Sequence, residues 1–365
     1  MIQENKQSIS PRQFMIFILQ TQIGAGFISL PFSVHTSERS SDGWITVLLI
    51  GIIIQILITL YSLLVKRFPS LTFFEIMTAV FGKFMGKAIS AAYILFFLLI
   101  AGQILLVYCS VLEVWVFPQT PNWVIVSSMS LVALYLVKEK LQIISRYHTV
   151  ICYVLIILPV LSLPAYANVE FRYLLPVGGS GVYTILSKIP DGFLSFIGFE
   201  VMLFLYPFVK GTNKQKYLAA TYSNIFYTGY TTYFSLLTYI FFSPEELMLV
   251  PQPVLYILKA FTFPVFERVD ILFLSTWTVL ISSSLVSYAY LTSLGIKQTF
   301  GLRHHKTAAP FVLALCTLIA LYPRNDLTVE KFLGQVTNLS LAFTIAVPAL
   351  VFLFVLLFKK QKVST

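Results

Sequence analysis

The chain has 365 residues, of which 58% are hydrophobic and only 11% charged. A soluble domain carries about 25% charged residues, so this chain cannot cover itself with polar surface, and composition excludes everything but an integral membrane protein. The net charge of +10 follows from where the basic residues fall between apolar runs and needs no nucleic-acid partner.

Ten apolar runs follow one another, at about 13–34, 44–65, 88–117, 122–137, 147–167, 183–209, 217–242, 269–296, 308–322 and 336–358. A bilayer is crossed by roughly 20 apolar residues. The ninth run is short, and the third and eighth are long enough to cross with a tilt. No linker or low-complexity tract divides them, so one membrane domain is expected over residues 1–365. The first run is too long for a cleaved signal and holds Pro31.

Run one contains Gln20-Thr-Gln-Ile-Gly-Ala-Gly-Phe-Ile-Ser-Leu-Pro31. Gly24 and Gly26 lack the side chains that stabilise a turn, and Pro31 has no backbone donor. Irregular backbone at membrane depth survives only where protein buries it or where it lines a cavity. Run six answers it with Phe196-Ile-Gly-Phe-Glu-Val-Met-Leu-Phe-Leu205 and then Tyr206-Pro207. Two interrupted helices in corresponding places of two halves point to a midplane binding site. The plainer alternative is two glycine-kinked helices that pack closely.

Between the runs, most of the 25 Lys and Arg residues fall on one side. Lys66, Arg67, Lys83 and Lys87 follow run two, Lys138, Lys140 and Arg146 follow run four, and Lys210, Lys214 and Lys216 follow run six. The positive-inside rule then puts both termini in the cytoplasm. On the outside, Gly178-Gly-Ser-Gly181 reads as a flexible loop. The long connection from Ser243 to Asp270 reads as a loop holding a short amphipathic helix. On the inside, Arg303-His304-His305-Lys306 reads as a basic solvated turn, not a metal site.

No HExxH, GxSxG or Walker lysine is present, so neither an enzyme nor a cofactor is expected. Cys109, Cys152 and Cys316 lie far apart in apolar runs, which argues against disulfides and zinc. Glu200 is the deepest ionisable residue and therefore a functional candidate. It either bridges the break in run six, meets a ligand ammonium group, or holds a proton. Glu113 reads as interfacial. Most hydroxyls of run eight are expected to bond back to their own helix; Ser282, Ser283 and Ser284 are weaker candidates to hold a cation against freed carbonyls of run one.

The GAGxxxLP pattern of Gly24 to Pro31, the ten runs and the two breaks resemble the amino acid–polyamine–organocation superfamily. Further motifs narrow the resemblance to the B subunit of GerA-type spore germinant receptors. They are Asp42-Gly43-Trp44-Ile45, Pro69-Ser70-Leu71, Gly82-Lys83, FIGFEVMLFL at 196–205, Phe266-Glu267-Arg268, Lys297 to Leu302, and Tyr322-Pro323. The resemblance implies an all-α fold of ten transmembrane helices. These would form a LeuT-type inverted five-plus-five repeat, about 13–167 and 183–358, with helices one and six broken. It implies a ligand pocket bordered by Gly24, Ala25, Gly26, Gly198, Phe199 and Glu200. It implies a small-molecule nutrient, most simply an amino acid, and partners in an A-type subunit and a C-type lipoprotein subunit. The setting implied is the lipid of the spore inner membrane. An amino acid permease of the same superfamily is the alternative.

Overall fold

The computed structural model describes residues 8–24, 26–36, 40–260, 269–323 and 325–357. Ala25, the motif at 266–268, and the basic residues Lys6, Arg39, Arg324, Lys359, Lys360 and Lys362 lie outside the described residues.

Among the described residues every regular element is helical, apart from an isolated bridge between Ile9 and Val209. Run one divides into α1 (Pro11–Gln22) and α2 (Leu30–Ser33). Run two is α3 (Gly43–Val65). A short α4 (Phe73–Phe81) precedes α5 (Lys83–Trp115), which is run three, and α6 (Asn122–Val137) is run four. Run five joins α7 (Leu141–Cys152) to α8 (Ile157–Ser162) through a tighter turn. Run six is cut into α9 (Val182–Ser187), α10 (Ile189–Phe193) and α11 (Val201–Leu205). Run seven is α12 (Asn213–Phe241). The long loop after it holds two short helices, α13 (Pro244–Leu247) and α14 (Pro253–Lys259), where one was expected. Then come α15 (Val269–Phe300), α16 (Ala309–Leu321), α17 (Asp326–Leu341) and α18 (Val347–Leu357).

Among the described residues, six helical segments are long and apolar enough to cross a membrane. They span 43–65, 83–115, 141–168, 182–208, 269–300 and 327–357, with α6 and α16 as shorter apolar helices. Run one falls outside that set because its break leaves α1 with 12 residues. In α12 a polar stripe is turned inward instead. Asn224 donates to the Gly51 carbonyl of α3 at 3.0 Å, and Ser223 donates to Gln22 of α1 at 3.4 Å.

Local chemistry explains most ends and breaks. Ser10 and Gln13 form a reciprocal cap that starts α1, with Pro11 in the first turn where its missing donor costs nothing. Thr72 with Glu75 and Thr212 with Gln215 do the same for α4 and α12. Proline removes the donor that the carbonyl four residues earlier needs, and tyrosines from other helices supply the replacement. Pro159 leaves the Leu155 carbonyl to Tyr230, at 3.3 Å. Pro348 leaves the Thr344 carbonyl to Tyr61, and Tyr93 donates to the neighbouring Phe343 carbonyl at 2.8 Å. These two carbonyls belong to a wide π-helical turn, Ala342–Ala346, that separates α17 from α18.

The glycine-rich loop is not loose, as the sequence suggested. The Asp42 carboxylate accepts from Gly178 N at 2.7 Å, from Ser180 N at 2.9 Å and from Ser40 Oγ at 2.5 Å. Burial alone would push the Asp42 carboxyl up. The bonds from Ser40, Ser180 and Gly178 outweigh it and hold the group below its ordinary value. A carboxyl lowered on folding stabilises the protein above its unfolded value of about 4. That contribution fades as pH falls through the lower, folded value. Thermal stability in detergent is therefore expected to drop as pH falls below about 5, and the part of the drop due to this loop should vanish in Asp42→Ala. An unchanged pH profile in Asp42→Ala would show that the strap contributes nothing.

In the turn at 303–306, Arg303, His304 and Lys306 are exposed as expected, and His305 departs from it. His305 is half-buried, its Nε2 is 3.0 Å from the Glu139 carbonyl, and its ring lies 5.1 Å from that of Tyr290.

Candidate functional site

The two breaks meet face to face. At the first, α1 ends at Gln22 and its last carbonyls lose their helical donors. Serines of α15 lie against them: Ser284 Oγ is 3.0 Å from the Gln20 carbonyl and 3.1 Å from that of Ile23, and Ser283 Oγ is 3.1 Å from Gln20 O, 3.0 Å from Gln20 Oε1 and 2.6 Å from the Leu280 carbonyl of its own helix. Each hydroxyl has one proton, so each serves one carbonyl at a time. Ser282 turns away, to Tyr147 at 2.6 Å and to its own helix at Val279. Ser275, Thr276 and Ser287 bond back within α15 as expected.

At the second break the chain passes through Gly198 with φ +126°, a region that L side chains rarely adopt. A Cβ added there would lie 2.6 Å from Gln22 N and 2.7 Å from Thr21 C, so the backbone of run six rests directly on the end of α1. Gln22 strengthens the join by donating from its amide to the Phe196 carbonyl at 3.2 Å. Gly26 lies as close to the other side: its Cβ would stand 2.7 Å from Ser195 Cα. A Cβ added at Gly24 would stand 3.2 Å from Ser284 Oγ.

Glu200 closes the second break. It is 1% exposed. Its Oε2 accepts from Gly198 N at 2.7 Å and its Oε1 from the Tyr288 hydroxyl at 2.6 Å. Phe199 stacks on Tyr61 with ring centroids 5.6 Å apart.

Beside this junction lies a cavity of about 260 Å³. Gly24, Gly26, Ser195, Ile197, Ser284 and Tyr288 form its deep end, and α5 supplies a wall of Ile100, Gln103, Ile104 and Val107. It runs out past Ser33, Asp191, Gln252 and Leu333 toward the loops that hold α13 and α14. Gly24 and Gly26 thus line it. Gly198, Phe199 and Glu200 stand behind the wall, and Glu200 reaches the cavity only through Tyr288. Ala25 lies outside the described residues.

The opposite end is packed shut. Phe204 of α11 touches Phe74, Phe97, Phe73 and Tyr93, with centroids 4.7 to 5.5 Å apart. Beyond it Ile9 pairs with the strand-like end of run six through bonds to Phe208 O and from Lys210 N, both 2.9 Å. The buried Lys216 ammonium donates to the Tyr206 carbonyl at 3.0 Å.

Sequence reasoning missed Gln103, Ser195 and Tyr288. Gln103 and Tyr288 were visible as polar groups inside long apolar runs, but an uncharged amide or phenol is a weaker signal than a carboxylate.

An all-helical bundle of this kind, with a pocket at two broken helices, is a known membrane-transporter architecture. The chain superposes on a substrate-bound, outward-open structure of a Na+-coupled sialic acid symporter with a TM-score of 0.65, over 94% of this chain and 80% of the symporter, at 12% sequence identity. That likeness establishes the fold. The family follows from sequence: residues 8–329 match the Spore_permease model, described as spore germination protein, and the chain belongs to that family. It is 27% identical to spore germination protein YndE of Bacillus subtilis over 94% of both chains. It is 26% identical to spore germination protein GerQB of Bacillus cereus over 87% of both, and 29% identical to spore germination protein A2 of Bacillus subtilis over 80% of both. The protein is a multi-pass helical membrane protein of a permease-like family.

Proposed function

We propose that this chain is the nutrient-sensing membrane subunit of a spore germinant receptor. The observation that carries the reading is the cavity where the two broken helices meet, open toward one set of loops and packed shut at the other end. A small ligand, most simply an amino acid, sits against Gly24, Ala25 and Gly26, with Gly198, Phe199 and Glu200 forming the support behind the pocket. Freed backbone at helix breaks suits a zwitterion: N–H groups take the carboxylate and carbonyls take the ammonium. Binding favours one conformer by its differential affinity, and an A-type subunit and a C-type lipoprotein subunit read that conformer. The chain crosses the spore inner membrane ten times with both termini cytoplasmic, as two inverted halves at about 13–167 and 183–358.

The Ser283 and Ser284 hydroxyls lie against the Gln20 and Ile23 carbonyls, oxygen donors of the kind that the cation candidate at these two serines requires. The permease alternative draws on the symporter fold. One comparison separates the two. Spores lacking the A-type subunit are expected to lose the response to the cognate nutrient, and the purified chain in liposomes is expected not to accumulate labelled amino acid. Full germination without the A-type subunit, or uptake by the chain alone, would replace the receptor reading with the permease.

A further inference from the structure

Among the described residues, the cavity wall carries one fully buried side-chain polar atom that nothing satisfies. Gln103 is 7% exposed, and its Oε1 is, among the described residues, the one buried side-chain polar atom of the wall without a hydrogen-bond partner. Other polar groups of the wall are engaged: Gln22 with Phe196, Gln252 with Trp115, Ser284 with α1 and Tyr288 with Glu200. A buried acceptor left unpaired is costly, and native structures keep few of them. Positions 100, 103, 104 and 107 share one face of α5, so Gln103 breaks an otherwise aliphatic stripe of Ile100, Ile104 and Val107.

Charge narrows the class of occupant. Among the described residues that line the cavity, Asp191 is the one charged side chain, and it sits near the mouth with Lys188 at 3.1 Å from its carboxylate. Among the described residues no lysine or arginine lines the cavity, so a phosphate or a dicarboxylate would bring negative charge with no cation there to meet it. The occupant is therefore neutral or zwitterionic. Its head belongs at the freed backbone around Gly24 and Gly26, and its tail then runs along α5.

We infer that Gln103 is a specificity-determining residue: a half-turn of its terminal amide, whose oxygen and nitrogen can exchange places, brings the carbonyl to the cavity side, where it accepts a hydrogen bond from an N–H or O–H in the tail of the ligand. The pocket thereby prefers a polar uncharged tail to an aliphatic one of the same shape. This inference rests on the proposed binding of an amino acid. A site built to pair with a ligand donor discriminates strongly against the analogue without it.

The test is a thermal-shift titration of the full-length purified protein with two near-isosteric pairs, L-asparagine against L-leucine and L-threonine against L-valine. Wild type is expected to bind at least one polar member about ten- to hundredfold more tightly than its apolar partner. Gln103→Met keeps the shape without the amide and should collapse that gap. Gln103→Glu keeps an acceptor and should preserve it. A wild-type preference for L-leucine or L-valine, equal binding within each pair, or a gap that survives Gln103→Met would overturn the role of Gln103 while leaving an amino acid pocket in place. Failure of all four compounds to stabilise wild type would overturn both the role and the amino acid reading.

Discussion

Gly198→Ala is expected to remove most of the folded protein from the membrane. Two separate costs act at this position. The residue sits at φ +126°, and holding an L side chain in such a region costs on the order of 1–3 kcal/mol. The added methyl would also enter the backbone of α1, 2.6 Å from Gln22 N and 2.7 Å from Thr21 C. Backbone cannot swing aside as the far end of a side chain can, and overpacking of this kind adds roughly 1–3 kcal/mol. Together they take a large share of the roughly 5–15 kcal/mol that holds a typical protein folded. Gly229 is the control. It lies inside α12 with nothing within 4 Å of an added Cβ, so Gly229→Ala should leave protein level unchanged or slightly raised. The measurement is the amount of full-length protein in the membrane fraction, together with the unfolding temperature of what is purified. Wild-type level and stability in Gly198→Ala would mean that the two breaks do not rest on each other.

This contact also marks how far the sequence could be read. Gly24, Gly26 and Gly198 were legible as break points, because glycine and proline act locally and an apolar run of bilayer length makes any break conspicuous. That the breaks touch each other was not legible. Contacts between elements depend on how helices rotate and cross, and the residues concerned are far apart in the chain. Tyr61 and Thr344 illustrate this. Pro348 announces that the Thr344 carbonyl needs another donor, but nothing local says that a tyrosine 283 residues earlier supplies it. Asp42 pins a glycine-rich loop 136 residues away, so a segment with loose composition is held by a remote carboxylate. Likewise run seven was legible as an apolar run, but not that its Ser223 and Asn224 turn inward to bond α1 and α3. Gln103 went unmarked for a different reason. Its meaning lies in a missing partner, and only coordinates reveal that.

Glu200→Ala should destabilise the protein strongly, and Glu200→Gln should not. The carboxylate satisfies two buried donors, Gly198 N–H at 2.7 Å and the Tyr288 hydroxyl at 2.6 Å. Truncation to alanine leaves both donors unpaired at about 1–3 kcal/mol each, and it also opens a void beside Phe199. Glutamine has nearly the same shape. Its carbonyl can accept from Gly198 N–H, and its NH2 can donate to the oxygen of Tyr288, which accepts as well as donates. The expected result is a large fall in unfolding temperature for alanine and a small one for glutamine, with the nutrient dose–response of Glu200→Gln spores close to wild type after normalising to subunit level. The contrast separates two roles. If Glu200 bridges the break and positions Tyr288, charge is dispensable and only the hydrogen-bond count matters. If Glu200 instead meets a ligand ammonium directly, glutamine forfeits a charge-assisted bond worth roughly 1.5–3 kcal/mol. The dose–response would then shift about ten- to hundredfold at unchanged unfolding temperature. Such a shift would overturn the bridging role, and a wild-type unfolding temperature in Glu200→Ala would show that neither bond holds the junction together.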